Sequence, residues 1–228
     1  MRRGLPQGLL FLLSWQLACS SNPPEPHGAL HVVTRGQGQH AVLLMHGYGA
    51  RGDDLVPLGE RLASRLDARF VMPAAPFVWP HGPPGRMWFE RGGNQAQSVE
   101  SGRAIDGVFD SLRSEGVSRI VLAGFSQGAM MSLERGLRSE RRPAALILFS
   151  GAAPRELGHD GSALRGMPMF ISHGTRDPIL PFDGGRDIAR RAEAAGAHVV
   201  FVSFDGGHEI PPEVVDRAVS FLRDVFSP

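Results

Sequence analysis

Short apolar segments rich in β-branched and aliphatic residues alternate along the chain with segments of helical spacing, and this alternation most constrains the fold. Seven segments are typical of buried strands because their apolar runs are continuous. These predicted strands cover residues 30–34, 41–45, 69–72, 119–123, 145–150, 169–172 and 199–204.

Five further segments have the spacing of amphipathic helices. They cover residues 53–66, 98–114, 127–138, 187–195 and 213–226. Strands that alternate with helices predict an α/β fold with a mostly parallel central sheet and helices on both faces. Residues 149–169 are too few for a large helical cap domain, so we expect an open site.

The composition excludes several classes of function. With 24 basic and 23 acidic residues the net charge is +1, so we expect no nucleic-acid partner. Every basic residue is arginine, which excludes Schiff-base chemistry and a serine–lysine pair. A single cysteine, Cys19, excludes an intramolecular disulfide. The histidines and carboxylates lack the spacing of a metal site, so we predict chemistry without metal or cofactor.

Residues 1–19 have the pattern of a secretory signal peptide, because Arg2 and Arg3 precede a short apolar run and small residues follow. Cys19 lies where a bacterial lipoprotein carries its lipid, although Gln16 stands three positions before it, where an aliphatic residue is usual. Ordinary signal-peptide cleavage nearby, without a lipid, is the alternative. Residues 20–28 contain three prolines and are predicted as a linker, and residues 29–228 as one domain. These features predict an exported bacterial protein, periplasmic or anchored to a membrane through Cys19, with its oligomeric state open.

The motif Gly124-Phe125-Ser126-Gln127-Gly128 follows a predicted strand and opens a predicted helix. A strand–turn–helix of this kind exposes a nucleophilic serine, so Ser126 is the candidate nucleophile. The free N–H of Gln127 at the helix N-terminus would stabilise an oxyanion. The alternative is an ordinary turn with a capping serine.

A serine nucleophile needs a general base and an acid that orients it. His208 and Asp177 both follow predicted strands, and the order Ser126, Asp177, His208 is typical of α/β-hydrolases. The rival carboxylates are Asp205, which lies too close to His208 in sequence, and Asp183, which is predicted at a helix N-terminus. We expect His46 and His173, which precede glycines at strand ends, to shape turns.

In five motifs the chain resembles the phospholipase/carboxylesterase family of α/β-hydrolases, which includes acyl-protein thioesterases. The resemblance implies that Ser126, Asp177 and His208 form the catalytic triad and that the backbone N–H of Tyr48 is the second oxyanion donor. Glu90 stands where the family usually has aspartate. The motifs are Leu44-Met45-His46-Gly47-Tyr48-Gly49 with Asp53 nearby, Met87-Trp88-Phe89-Glu90, residues 124–129, residues 173–178 and Gly207-His208-Glu209.

Aromatic residues are concentrated in the Pro- and Gly-rich stretch between the third predicted strand and the second predicted helix. Because a loop this long and apolar is often functional, we predict that Trp88, Phe77 and Trp79 wall an acyl-binding groove. Packing in the core is the alternative.

These features predict a serine carboxylic-ester hydrolase that acts through an acyl-enzyme on short- to medium-chain acyl esters as small-molecule substrates. Acyl thioesterase or lysophospholipase activity is the alternative within the same chemistry. A peptidase, and a non-catalytic exported binding protein on the same scaffold, are the alternatives from other classes.

Overall fold

The computed structural model describes residues 30–153 and 162–227. Seven strands of these residues form the central sheet, and β4 and β5 form a separate hairpin. The strands are β1 (Val32–Arg35), β2 (His40–Met45), β3 (Arg69–Pro73), β4 (Phe77–Val78), β5 (Arg86–Met87), β6 (Arg119–Phe125), β7 (Ala145–Phe149), β8 (Pro168–Gly174) and β9 (His198–Phe204).

The central sheet has the strand order β1-β3-β2-β6-β7-β8-β9. The edge strand β1 is antiparallel to β3, and all other pairs in the sheet are parallel. Met45, the last residue of β2, pairs with Gly124 of β6, so the carboxyl ends of these two central strands lie side by side. The prediction of a mostly parallel sheet is therefore confirmed.

Helices cover both faces of this sheet, as predicted. Alternate residues of the central strands point to opposite sides: Val42 and Leu44 pack in one core cluster, Leu43 and Met45 in another. The first cluster includes residues of α1 and α5, and the second includes residues of α2, α3 and α4. The helices are α1 (Val56–Ala63), α2 (Gln95–Ser114), α3 (Gln127–Arg138), α4 (Phe182–Ala194) and α5 (Pro212–Phe226).

Helix bounds and one hairpin differ from the sequence prediction. Helix α1 begins three residues later than predicted because the Asp54 carboxylate accepts hydrogen bonds from the backbone N–H groups of Arg51 and Gly52, which form a turn instead. Helix α2 begins three residues earlier because the Asn94 side chain caps it by accepting from the Gln97 N–H at 3.2 Å. The β4–β5 hairpin was not predicted, since two-residue strands leave no periodic pattern.

The predicted signal peptide, Cys19 and the linker lie outside the described residues. None of the helices in residues 30–153 and 162–227 is long and apolar enough to cross a membrane.

Candidate active site

Ser126 lies on a sharp turn between β6, which ends at Phe125, and α3, which begins at Gln127. Its backbone has φ 55° and ψ −115°, a conformation that costs about 1–3 kcal/mol for a residue with a Cβ. The turn is fixed by a hydrogen bond from the Ser126 N–H to the Phe149 carbonyl oxygen at 2.9 Å. This geometry places the serine at the carboxyl end of the sheet and at the N-terminus of α3.

Asp177 and His208 meet at the same end of the sheet, after β8 and β9 respectively. His208 Nδ1 lies 2.7 Å from Asp177 Oδ2, and Asp177 Oδ1 accepts from the N–H groups of Ile179 and Leu180 at 2.8 and 2.9 Å. Burial raises the pKa of the Asp177 carboxyl, but the hydrogen bonds from His208 and the two N–H groups outweigh it and hold that pKa below its ordinary value. The carboxylate therefore stays ionised and requires that His208 Nδ1 carries a proton.

The His208 ring lies beside the turn that carries Ser126. Its centroid is 4.7 Å from that of the Phe125 ring, one residue before the serine, and 14% of the His208 side chain is exposed. No hydrogen bond joins Ser126 Oγ to His208 Nε2 within the described part of the chain. Such contacts are often loose without substrate and tighten when substrate binds.

Two backbone N–H groups next to Ser126 have no acceptor among residues 30–153 and 162–227, those of Tyr48 and Gln127. The Tyr48 loop approaches the serine closely: a Cβ added at Gly47 would lie 3.4 Å from the Ser126 Cβ. The Gln127 N–H lies at the N-terminus of α3, where the helix dipole favours a developing negative charge. The Tyr48 N–H lies on the loop that follows β2.

The Gln127 side chain has a role that the sequence did not reveal. It is almost fully buried, its Oε1 accepts from the Trp88 N–H at 2.9 Å, and its Nε2 donates to the Phe89 carbonyl oxygen at 2.6 Å. These two bonds attach the loop after β5 to the turn that carries the serine.

Trp88 does not line a substrate groove, which corrects the sequence prediction. The residue is fully buried in the core, and its Nε1 donates to the His46 carbonyl oxygen at 2.9 Å. Its own carbonyl oxygen accepts from Ser101 Oγ at 2.6 Å. A side chain so enclosed supports the His46-Gly47-Tyr48 loop from behind instead of contacting a ligand.

Phe77 and Trp79 also lie away from the cavity at Ser126. Phe77 pairs with Met87 in the β4–β5 hairpin. The Trp79 ring packs edge-on against the Tyr48 ring, with 6.3 Å between centroids. Neither residue lines the cavity at Ser126, so their predicted role in substrate binding is not supported by where they lie.

The cavity that contains Ser126 has a volume of about 520 Å³. A second groove, of about 580 Å³, shares Phe89, Gly92 and Met130 with it and continues along α2 and α3. The sequence analysis did not assign Phe89, Gly92 and Met130 to a substrate site, because they come from separate elements. The cavity is lined by Tyr48, Phe89, Arg91, Gly92, Ser126, Gln127, Met130, Pro178, Ile179 and Leu180.

His46 and His173 do more than shape turns. Both are buried. His46 Nε2 accepts from the Ala75 N–H at 3.0 Å, and burial lowers the pKa of this histidine. His173 Nε2 lies 2.9 Å from the Leu180 carbonyl oxygen and 3.3 Å from Asp177 Oδ2, the same carboxylate oxygen that His208 contacts. Because both neighbours of this nitrogen are acceptors, His173 carries its proton on Nε2.

The rival carboxylates do not reach His208. Asp205 is largely exposed and pairs with Arg176 at 3.0 Å. Asp183 lies in the first turn of α4 and pairs with Arg186 at 3.5 Å. Within the described residues, no group of three or more His, Cys, Asp or Glu side chains is arranged to hold a metal ion.

Known proteins similar to this chain include acyl-protein thioesterases and esterases. The chain is 30% identical over 216 residues to acyl-protein thioesterase 1 of Eremothecium gossypii, covering 85% of this chain and 92% of that one. It is 28% identical over 213 residues to acyl-protein thioesterase 1 of Gibberella zeae, covering 82% and 91%.

Solved structures show the same fold. Esterase PE8 superposes with a TM-score of 0.76 at 28% identity, covering 87% of this chain and all of that one. The carboxylesterase of Bacillus cereus superposes with a TM-score of 0.74 at 21% identity, covering 86% and 95%. The predicted α/β-hydrolase fold is therefore confirmed.

The prediction of an exported bacterial protein, periplasmic or anchored as a lipoprotein, is wrong. Curated relatives that match this chain over much of its length include several fungal acyl-protein thioesterases, which are not exported bacterial lipoproteins. The comparisons give no support for a lipid on Cys19. The export prediction depended only on a short local pattern in residues 1–19, a basic start followed by an apolar run.

The family itself is established by a match along almost the whole domain. The sequence profile of the Phospholipase/Carboxylesterase family matches residues 28–226. Its members are esterases and thioesterases, so this protein is a hydrolase of the carboxylesterase and acyl-protein thioesterase kind. Fold, profile and relatives agree that the chain belongs to the phospholipase/carboxylesterase family of α/β-hydrolases.

Proposed function

We propose that the protein hydrolyses carboxylic esters of short- to medium-chain acyl groups through an acyl-enzyme on Ser126. The observation that carries this proposal is the 2.7 Å contact between His208 Nδ1 and the buried Asp177 carboxylate, with the His208 ring packed beside the strained Ser126 turn. An ionised acid, an oriented imidazole and a serine that lines a cavity are the parts that nucleophilic acyl transfer requires.

His208 acts as general base and then as general acid. Because its Nδ1–H donates to Asp177, its Nε2 is the nitrogen left to accept the proton of Ser126 Oγ. The serine oxygen attacks the ester carbonyl carbon, and the imidazolium then donates its proton to the departing alcohol. In the second half, His208 removes a proton from water, which attacks the acyl-enzyme carbonyl carbon. The imidazolium then returns this proton to Ser126 Oγ as the acyl–oxygen bond breaks, which releases the acid and the free serine.

The N–H groups of Tyr48 and Gln127 stabilise the carbonyl oxygen when it becomes negative. Both have no other acceptor among the described residues, so they need not break a bond within the protein to serve the oxyanion. Removing one such donor in a serine hydrolase typically costs about 10²–10³ in kcat.

The groove that continues from the cavity suits an acyl chain. Phe89 and Met130 line its junction with the cavity, and Met131 and Leu137 belong to the groove alone. Its charged members Glu134 and Arg138 lie 3.7 Å apart and offset one another. An apolar wall of this kind stabilises a chain by removing it from water, at about 0.8 kcal/mol for each buried CH₂.

Acyl thioester hydrolysis is the second candidate, and it is favoured by the names of the fungal relatives. The proposed machinery does not distinguish oxygen from sulfur in the leaving group, because the oxyanion forms on the carbonyl oxygen in both cases.

Three substrates that differ only in the scissile bond test the proposal: p-nitrophenyl butyrate, p-nitrothiophenyl butyrate and p-nitrobutyranilide. We expect ester turnover that Ser126→Ala abolishes and that Ser111→Ala, which removes an exposed hydroxyl on α2, leaves in place. A kcat/KM tenfold higher for the thioester would establish the second candidate, and comparable turnover of the anilide would indicate a peptidase. A folded protein inactive on all three would refute the proposal and favour a binding role.

A further inference from the structure

One cation lines the cavity that contains Ser126. This residue, Arg91, is exposed, and its guanidinium carbon lies 5.2 Å from the centroid of the Tyr48 ring. We propose that Arg91 binds an anionic group, a carboxylate or a phosphate, on the alcohol or thiol part of the substrate. The inference rests on the proposed function and names the substrate class of the same site.

The contact with Tyr48 holds the guanidinium at the mouth of the cavity. A cation over an aromatic face is attracted by the ring quadrupole. The Tyr48 ring is itself supported edge-on by Trp79, and the next residue, Gly49, donates its N–H to the Arg86 carbonyl oxygen at 2.8 Å. The charge of Arg91 is therefore placed over the Tyr48 side chain, and both residues line the cavity that contains Ser126.

The charge of Arg91 is not offset by a carboxylate. Within residues 30–153 and 162–227 it takes part in no ion pair, whereas Arg138 in the neighbouring groove faces Glu134 at 3.7 Å. The carboxylate nearest the chemistry, Asp177, is fully buried and bonded to His208. The remaining lining of the cavity is uncharged, so an incoming anion meets a single positive group.

The position of Arg91 also indicates which part of the substrate it contacts. Arg91 lines the cavity with Ser126 and is absent from the lining of the apolar groove, which shares only Phe89, Gly92 and Met130 with the cavity. An acyl chain that occupies the groove leaves the opposite side of the ester, the leaving group, towards Tyr48 and Arg91. The anionic group is therefore expected on the leaving group.

A matched pair of esters tests this placement. One is the butyrate ester of 4-hydroxybenzoate, whose leaving group carries a carboxylate; the other is the butyrate ester of methyl 4-hydroxybenzoate, whose leaving group is neutral. The measured quantity is the ratio of kcat/KM for the anionic ester to kcat/KM for the neutral one. This ratio cancels any general effect of a substitution on folding or on the chemical step.

We expect Arg91→Gln to lower the ratio about threefold to fivefold, the size typical of one exposed ion pair. Arg91→Lys should retain most of the ratio, and Arg61→Gln, which removes an exposed arginine on α1, should leave it unchanged. In the wild type, 0.5 M NaCl should lower the ratio, because salt screens exposed charges.

An unchanged ratio in Arg91→Gln would refute the role of Arg91 while the turnover itself upholds the proposed function. A second pair, mono-p-nitrophenyl glutarate and p-nitrophenyl pentanoate, places the charge on the acyl side. Dependence on Arg91 in that pair alone would overturn the assignment to the leaving group. A wild type that hydrolyses none of these esters would refute the proposed function, and the inference would fall with it.

Discussion

Gly128 is the residue at which a single added methyl group should most directly disturb the proposed site. It is the second residue of α3, and a Cβ built on it would lie 2.0 Å from the Met45 carbonyl oxygen and 2.7 Å from that of His46. Real Cβ atoms essentially never come within 3.0 Å of another heavy atom, so the turn and the end of β2 would have to separate by at least 1.0 Å. Both opposing atoms are backbone oxygens, one of the last residue of the central strand β2 and one of the residue after it, and they have little freedom to yield.

The cost follows from this forced separation. Overpacking a well-packed interior typically costs about 1–3 kcal/mol of unfolding free energy. The same displacement moves the Tyr48 N–H away from Ser126, and a shift of about 1 Å in a catalytic arrangement can cost about 10² in rate. We therefore expect Gly128→Ala to lose about 2 kcal/mol of stability and about a hundredfold in kcat/KM.

Urea unfolding followed by tryptophan fluorescence and turnover of p-nitrophenyl butyrate measure the two effects separately. Gly107→Ala is the matched control, because Gly107 is an exposed residue of α2 with no atom within 4 Å of its built Cβ. That control should gain about 0.5–1 kcal/mol and keep full activity, since alanine favours a helix over glycine. A Gly128→Ala protein within 0.5 kcal/mol of the wild type and with undiminished kcat/KM would refute the reasoning.

Three further outcomes are expected from buried polar groups near the site. His173→Phe keeps a ring but removes the Nε2–H next to Leu180 and Asp177, so kcat/KM should fall about tenfold. His173→Gln should restore part of the lost kcat/KM. Equal kcat/KM in the two variants would contradict a role of His173 in positioning Asp177. Trp88→Phe should lower the unfolding free energy by about 1–3 kcal/mol, because the hydrogen bond to the His46 carbonyl oxygen is lost, and should leave the preferred acyl-chain length unchanged. A changed chain-length preference at unchanged stability would count against a role of Trp88 in the core. Burial lowers the pKa of His46 from 6.5, so below pH 6.5 the unfolded chain binds more protons than the folded protein. The urea concentration at the midpoint of unfolding should therefore be lower at pH 5 than at pH 7.5. Equal midpoints would show that His46 is not held neutral in the folded protein.

The strands β2, β3, β6 and β7 were predictable because each carries a continuous apolar run that is buried, whereas the edge strands β1 and β9 are partly exposed. The alternation of faces at Leu43 and Leu44 shows why: Leu43 belongs to the core cluster that includes residues of α2, α3 and α4, and Leu44 belongs to the cluster that includes residues of α1 and α5. The β4–β5 hairpin was not predictable, because strands of two residues carry no periodic signal.

The positions of Ser126, Asp177 and His208 followed from their order after parallel strands, whose carboxyl ends share one edge of the sheet. The roles of Trp88 and Arg91 did not follow. The local sequence around an aromatic residue in an irregular loop does not indicate whether its side chain enters the core or lines a groove. Only the fold brings Trp88 within hydrogen-bond distance of the His46 carbonyl oxygen. Arg91 meets Tyr48 across 43 positions of sequence, a contact that local pattern cannot reveal.

The central claim is that Ser126 is the nucleophile of this hydrolase, and covalent labelling tests it most directly. The purified wild type, Ser126→Ala and Ser111→Ala are treated with a fluorophosphonate probe, and the modified residue is located by peptide mass spectrometry. The account predicts one label on Ser126 in the wild type and in Ser111→Ala, and no label in Ser126→Ala. A folded wild type that stays unlabelled, or one labelled at another residue, would contradict it.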